Sequence, residues 1–233
     1  MKILILVLFF AASFAIYPEV MRAASTCQTY IQQNPSDKKV LLNGRIWHNQ
    51  YSKAVGDQFF LSATFFLKGS VTYNGRKFSD LDIQYDIAND ELILKIGSYP
   101  VIIMNKEMVD SFSLHFGIRN YHIINTGNDT SGVLKGYVNV LYDGPTALYT
   151  KYTKKILPLA VDGRYDLFIQ EHRIYLRKGT EVEPVAGKRR FFELLADKKK
   201  EIRHFIKSGR VKVKQKDPET FVPVLKYYDS ISE

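Results

Sequence analysis

Five histidines and a few clustered carboxylates are the residues through which this chain could do chemistry. His48, His115, His122, His172 and His204 are scattered. None falls in the HExxH or HxH spacing that brings two imidazoles onto one metal ion. His115 lies among Phe112, Leu114 and Phe116, which reads as a structural histidine in apolar surroundings. Asp86, Asp90 and Glu91 are near enough to picture a calcium loop, but they lack its alternating ligand spacing. Asn89 and Asp90 read as turn formers. Glycosidase chemistry needs two facing carboxylates. Asp80, Asp82 and Asp86 are close in sequence, but strand alternation sends Asp82 and Asp86 toward solvent. There is no Gly-x-Ser-x-Gly elbow and no Gly-rich phosphate loop. Cys27, the one cysteine, sits too near the N-terminus to persuade as a nucleophile. The residues therefore assign no catalytic, cofactor-binding or metal site.

Charge is where the sequence does concentrate. The net charge is +9. From Lys188 to Asp217 there are twelve Lys or Arg and four Asp or Glu, so eight of the nine net positive charges lie in that stretch. The candidate contacts are Lys198, Lys199, Lys200, Arg203, Lys207, Arg210, Lys212 and Lys214. Such a patch can hold an anionic membrane surface or an envelope polymer. The plainer alternative is a solvated helix face kept for solubility. Nucleic acid is not expected, because the stretch lacks the aromatic interleaving of a single-strand binder.

The elements that must position these residues are mainly strands. From about Val40 to Lys178, strand-like runs alternate with Asn-Gly, Asn-Asp, Gly-Ser and Asp-Gly turns. Val71-Thr72-Tyr73, Asn74-Gly75 and Arg76-Lys77-Phe78 read as a tight hairpin. Leu81, Ile83, Tyr85 and Ile87 share one face of the next strand, with Asp82, Gln84 and Asp86 on the other. Turns at Ala88–Asp90 and Gly97-Ser98 continue a meander of at least four strands. Further strands are expected at Tyr121–Asn125, Leu134–Tyr142, Tyr149–Ile156, Tyr165–Gln170 and Arg173–Arg177. No βαβ pattern interrupts them. The fold class is mainly β with C-terminal helices, as an antiparallel sandwich or a curved, partly open β-barrel. The paired Phe59-Phe60 and Phe65-Phe66 read as core.

After Gly187 the chain changes character. Arg190–Lys207 reads as one amphipathic helix with Phe192, Leu195, Ile202 and Phe205 inward and Lys198 to Lys200 outward. Val211 and Val213 then alternate with cations. Thr220–Ile231 reads as a last helix. The organisation is thus 1–25 signal peptide, 26–187 antiparallel β body, and 188–233 a basic helical segment packed on the same domain.

Export is expected from the start of the chain. Lys2 precedes an apolar run, Ile3 to Ile16, interrupted by Ser13 alone. That is the layout of a secretory signal peptide, and it is shorter than the ~20 apolar residues of a membrane span. Cleavage fits after Ala15 or after Ser25. A lipidated Cys27 is the less favoured reading against a free thiol. A single cysteine rules out an intramolecular disulfide framework, so the mature domain must be held by its core.

Two further patterns carry a resemblance. One is Tyr73-Asn74-Gly75, Tyr85-Asp86-Ile87, Asp90 and Leu92. The other is Phe192-x-x-Leu195-x-Asp197-Lys198-Lys199, Ile202-x-x-Phe205-Ile206-Lys207 and Tyr227-Tyr228-Asp229-Ser230. Together they resemble a family of uncharacterised exported proteins of the Gram-negative periplasm or envelope. The resemblance implies a bacterial envelope location and supplies no activity. The function expected is a non-catalytic exported envelope protein that binds or scaffolds. The alternatives are a carrier of a lipid or other hydrophobic ligand in a β cavity closed by the Arg190–Lys207 helix, or a hydrolase on a β scaffold.

Overall fold

The computed structural model describes residues 37–127 and 133–232. The expected signal peptide, both expected cleavage sites and Cys27 lie outside the described residues.

Alternation and turn chemistry build one sheet, antiparallel except at β2. The strands are β1 (Gly44–Ile46), β2 (Ala54–Val55), β3 (Leu67–Tyr73), β4 (Arg76–Asp86), β5 (Glu91–Lys95) and β6 (Ile102–Met104). They continue with β7 (Val109–Phe116), β8 (Arg119–Asn125), β9 (Tyr137–Asp143), β10 (Thr146–Val161), β11 (Tyr165–Lys178) and β12 (Glu181–Val185). The spatial order is β1-β6-β5-β4-β3-β7-β8-β9-β10-β11-β12, with β2 pairing in parallel along β11. The protein is mainly β with C-terminal helices, and its sheet is open rather than a closed barrel.

The Asn74-Gly75 hairpin forms between β3 and β4, with Tyr73 opposite Arg76. Both turn residues have positive φ, 48° and 75°, the pair of values a type I′ turn demands. The meander β3 to β6 follows the predicted order. β7, which the turn pattern did not single out, returns to the free side of β3 instead of extending past β6. The predicted pieces Tyr165–Gln170 and Arg173–Arg177 are one continuous strand, β11.

The sheet is curled. β4 and β10 lie five steps apart in the strand order, which in a flat sheet would separate them by about 24 Å. Yet Lys154 N–H of β10 donates to Ile87 O just beyond β4, at 3.2 Å. The concave side holds an aromatic cluster. Phe60 meets Tyr85, Tyr121 and Tyr152 at ring distances of 5.0–6.0 Å, and Tyr85, Phe112 and Tyr137 pack edge-to-face. Edge-to-face pairs of this kind add about 0.5–1.5 kcal/mol beyond their buried area.

Several expectations need correcting. Leu81, Ile83, Tyr85 and Ile87 are buried as predicted, but Gln84 and Asp86 are buried too. The segment 57–63 crosses the second face of β4, where Gln84 Nε2 donates to Ala63 O and Phe59 bridges Asp86. Strand alternation gives a solvent face only where nothing covers it. His115 is exposed, because Leu114 takes the inward position of β7. Phe59 and Phe60 are buried, whereas Phe65 is 59% exposed and stacks on Phe116.

The C-terminal segment packs on β10, β11 and β12 through its own apolar cluster, which includes Leu148, Ile174, Leu176 and Val185 from the sheet. The single helix expected over Arg190–Lys207 is instead two: α1 (Lys188–Leu194) and α2 (Lys199–Ser208), joined by a 3-10 turn at Ala196–Lys198. Tertiary contacts break it. Asp197 accepts from Lys178 Nζ of β11 and from Tyr228 Oη, at 3.0 and 2.9 Å, and Leu195 is fully buried at the bend. Pro218 opens the turn that leads into α3 (Val222–Ser230). Phe205 of α2 stacks on Tyr227 of α3 at 4.3 Å. Asp229 anchors α3 to the sheet by accepting from Tyr142 Oη and from both Thr146 N–H and Thr146 Oγ1. Asp229→Ala leaves those donors without their acceptor, and we expect it to cost about 3 kcal/mol, read as a lower urea midpoint.

Candidate functional site

The tail cations that the sequence nominates do not all act together. Lys199, Arg203 and Lys207 recur every four residues along α2, so they form one ridge. With Phe192, Leu195, Ile202 and Ile206 they line a recess of about 320 Å3. The recess is therefore apolar with a cationic rim. Lys200 is exposed on the same helix and does not line it, while Lys198 is half-buried at the bend. Arg210, Lys212 and Lys214 are exposed beyond the helix, with Val213 buried between the last two and no strand formed. None of these eight cations makes an ion pair among the described residues.

A second cluster has no signature in the sequence. Asp90 sits at the β4–β5 turn with φ 59°, in the left-handed region. Local chemistry placed it correctly as a turn residue, but its carboxylate also reaches across the curl of the sheet. Lys151 Nζ donates to Oδ1 at 2.6 Å, Lys106 Nζ to Oδ2 at 2.5 Å, and Tyr85 Oη to Oδ1 at 2.6 Å. Tyr137 N–H adds a longer bond of 3.3 Å. Burial by itself would raise the Asp90 pKa, but the two ammonium groups and the Tyr85 hydroxyl hold it below the usual carboxylate range. Burial lowers the Lys151 pKa, and Asp90 opposes that shift in part. Gly136 makes the approach possible: its φ is 71°, and a Cβ there would lie 1.9 Å from Asp90 Oδ2. No local signal announces this cluster, because its members are joined by the curl rather than by spacing.

Asp90 and Lys106 also wall a polar recess of about 440 Å3, with Arg45 paired to Glu91 at its other side. On the neighbouring strands, Lys151 opens onto a larger cleft of about 580 Å3, beside Lys155, Arg173 and Lys135.

The residues weighed for catalysis do not converge. Asp82 pairs with Lys68 on the surface. Asp86 caps its own turn, accepting from the Ala88 and Asn89 N–H groups, and burial raises its pKa. His48, His122 and His204 are exposed, and His172 binds Gln215 O. Among the described residues no group of three His, Cys, Asp or Glu could hold a metal ion. Comparison with protein families, curated proteins and solved structures gives no match to this chain.

Proposed function

We propose that this is a non-catalytic exported protein of the bacterial cell envelope, binding or scaffolding at an anionic amphiphilic surface that it contacts through α2. The observation that carries the reading is the ridge of Lys199, Arg203 and Lys207 over the apolar floor of Phe192, Leu195, Ile202 and Ile206. Unpaired cations beside an apolar recess suit a phosphate-bearing lipid headgroup with the start of its acyl chains, or an anionic envelope polymer. No helix among the described residues is long and apolar enough to cross a membrane, so contact in this reading is peripheral. The signal-peptide pattern and the envelope resemblance supply the compartment.

The carrier reading takes a different form here. The C-terminal segment packs on β10 to β12 through α1, α3 and its own apolar cluster rather than over the aromatic concavity, so in this reading a hydrophobic ligand meets the protein at the tail recess.

Vesicle co-sedimentation tests the proposal. Vesicles with anionic phospholipid should retain the protein at low salt and release it as salt rises, since exposed charges are screened within ~8 Å at physiological ionic strength. The triple variant Lys199→Gln, Arg203→Gln, Lys207→Gln should lose roughly 1 kcal/mol per residue of attraction, about two orders of magnitude in partitioning, with an unchanged circular dichroism spectrum. Salt-independent partitioning, or equal binding to neutral vesicles, would refute it. Fractionation of the producing cell checks the compartment: an uncleaved chain in the cytosol removes the export premise.

A further inference from the structure

The pairing of β10 with β11 sets like charges face to face. Lys151 lies directly opposite Arg173 in the register, and cations so placed in an antiparallel pair repel and destabilise it. Lys151 is also largely buried, its side chain 15% accessible, where repulsion is least screened. Asp90 offsets Lys151 but is shared with Lys106. Lys155, four residues further along the same face, is occupied by Glu171 at 2.7 Å. Arg173 and Lys135 have no carboxylate partner among the described residues. Lys135, Lys151, Lys155 and Arg173 open onto the cleft of about 580 Å3. Its remaining walls are Glu171, held by Lys155, together with Val133, Leu134, Val138, Thr153 and Tyr175, which are apolar apart from the Thr153 and Tyr175 hydroxyls.

We propose that this cleft is a binding site for a phosphate-type dianion, in which Arg173 and Lys135 grip the anion above Lys151. A dianion relieves the Lys151–Arg173 repulsion. It also gives the planar guanidinium of Arg173 the two-oxygen partner its geometry suits. The apolar walls leave room for an uncharged organic portion, so phosphomonoesters are the ligand class. The site is separate from α2.

Titration calorimetry with inorganic phosphate and with a hexose phosphate, chloride serving as background anion, tests the assignment. Saturable binding is expected for the wild type, weakened about tenfold or more in Arg173→Gln and again in Lys135→Gln. The α2 triple variant should bind as the wild type does, which separates this site from the proposed surface contact. Tighter binding of the hexose phosphate supports a phosphomonoester site, and equal binding supports a site for free phosphate. Thermal melting without phosphate gives a second readout: Arg173→Gln should melt no lower than the wild type, because the repulsion has gone. Absence of saturable binding, binding indifferent to Arg173→Gln, binding lost in the α2 variant, or a lower ligand-free melting temperature for Arg173→Gln would each overturn the proposal.

Discussion

Asp90→Asn should destabilise the protein by about 3 kcal/mol at neutral pH, because it leaves Lys151 and Lys106 without their shared counter-charge. Lys151 carries most of the effect, since Lys106 is 40% accessible and partly screened. Asparagine keeps the size of the side chain and tolerates positive φ as well as aspartate does, so the turn is preserved while the charge goes and one of the two acceptor oxygens becomes an amide donor. The pH dependence has a definite sign. Asp90 has a depressed pKa in the fold, so its stabilisation is present above the unfolded value of about 3.9. It is lost as pH falls through the lower, folded value. Urea titrations of both proteins should therefore differ most above about pH 5 and converge in acid. Taking the difference between them also cancels Asp86, whose raised pKa acts in the opposite direction. A gap that stays constant down to pH 2 would mean that packing, not charge, holds the turn.

Phe221→Ala should cost about 3–5 kcal/mol. Phe221 is fully buried and meets Phe191 edge-to-face at 4.7 Å, so it joins the turn before α3 to α1. Truncation leaves a cavity at the centre of the tail cluster, bounded by aromatic and branched side chains that do not collapse readily. For a domain of this size the loss corresponds to a drop in melting temperature of roughly 6–20 °C. A shift under 2 °C would show that the tail contributes little to the cooperative unit. Leu at this position should recover most of the stability, since it refills the volume without the ring contact.

What could be read in the sequence follows from the range of the interactions. Asn74-Gly75 specifies its hairpin within four residues, and the Leu81–Ile87 alternation finds its buried face without help. The buried Gln84 and Asp86 were not legible, because the segment that covers them lies more than twenty residues earlier. The break between α1 and α2 depends on Lys178, a sheet residue that no helical periodicity can include. Cations in the tail could be listed, but selecting Lys199, Arg203 and Lys207 required the axis of α2. Lys151 and Arg173 became neighbours only once the register of the β10–β11 hairpin was known, and a one-residue slip would have placed them on opposite faces.

The curl of the sheet also bears on how fast this protein reaches its native state. The bonds that hold the curl join residues far apart in the chain: Lys151 to Asp90 across 61 positions and Lys154 to Asp57 across 97. Arg119 to Glu219 spans 100. Each must wait for a long loop to close before it returns any stabilisation. High contact order of this kind puts folding on the millisecond-to-second scale or slower. The local hairpins can form early and dissolve repeatedly, while the ion pairs across the curl come late. Weakening Asp90 should therefore accelerate unfolding far more than it slows folding. An interval with unpaired strands exposed is one in which a newly made chain depends on binding partners or dilution to avoid association.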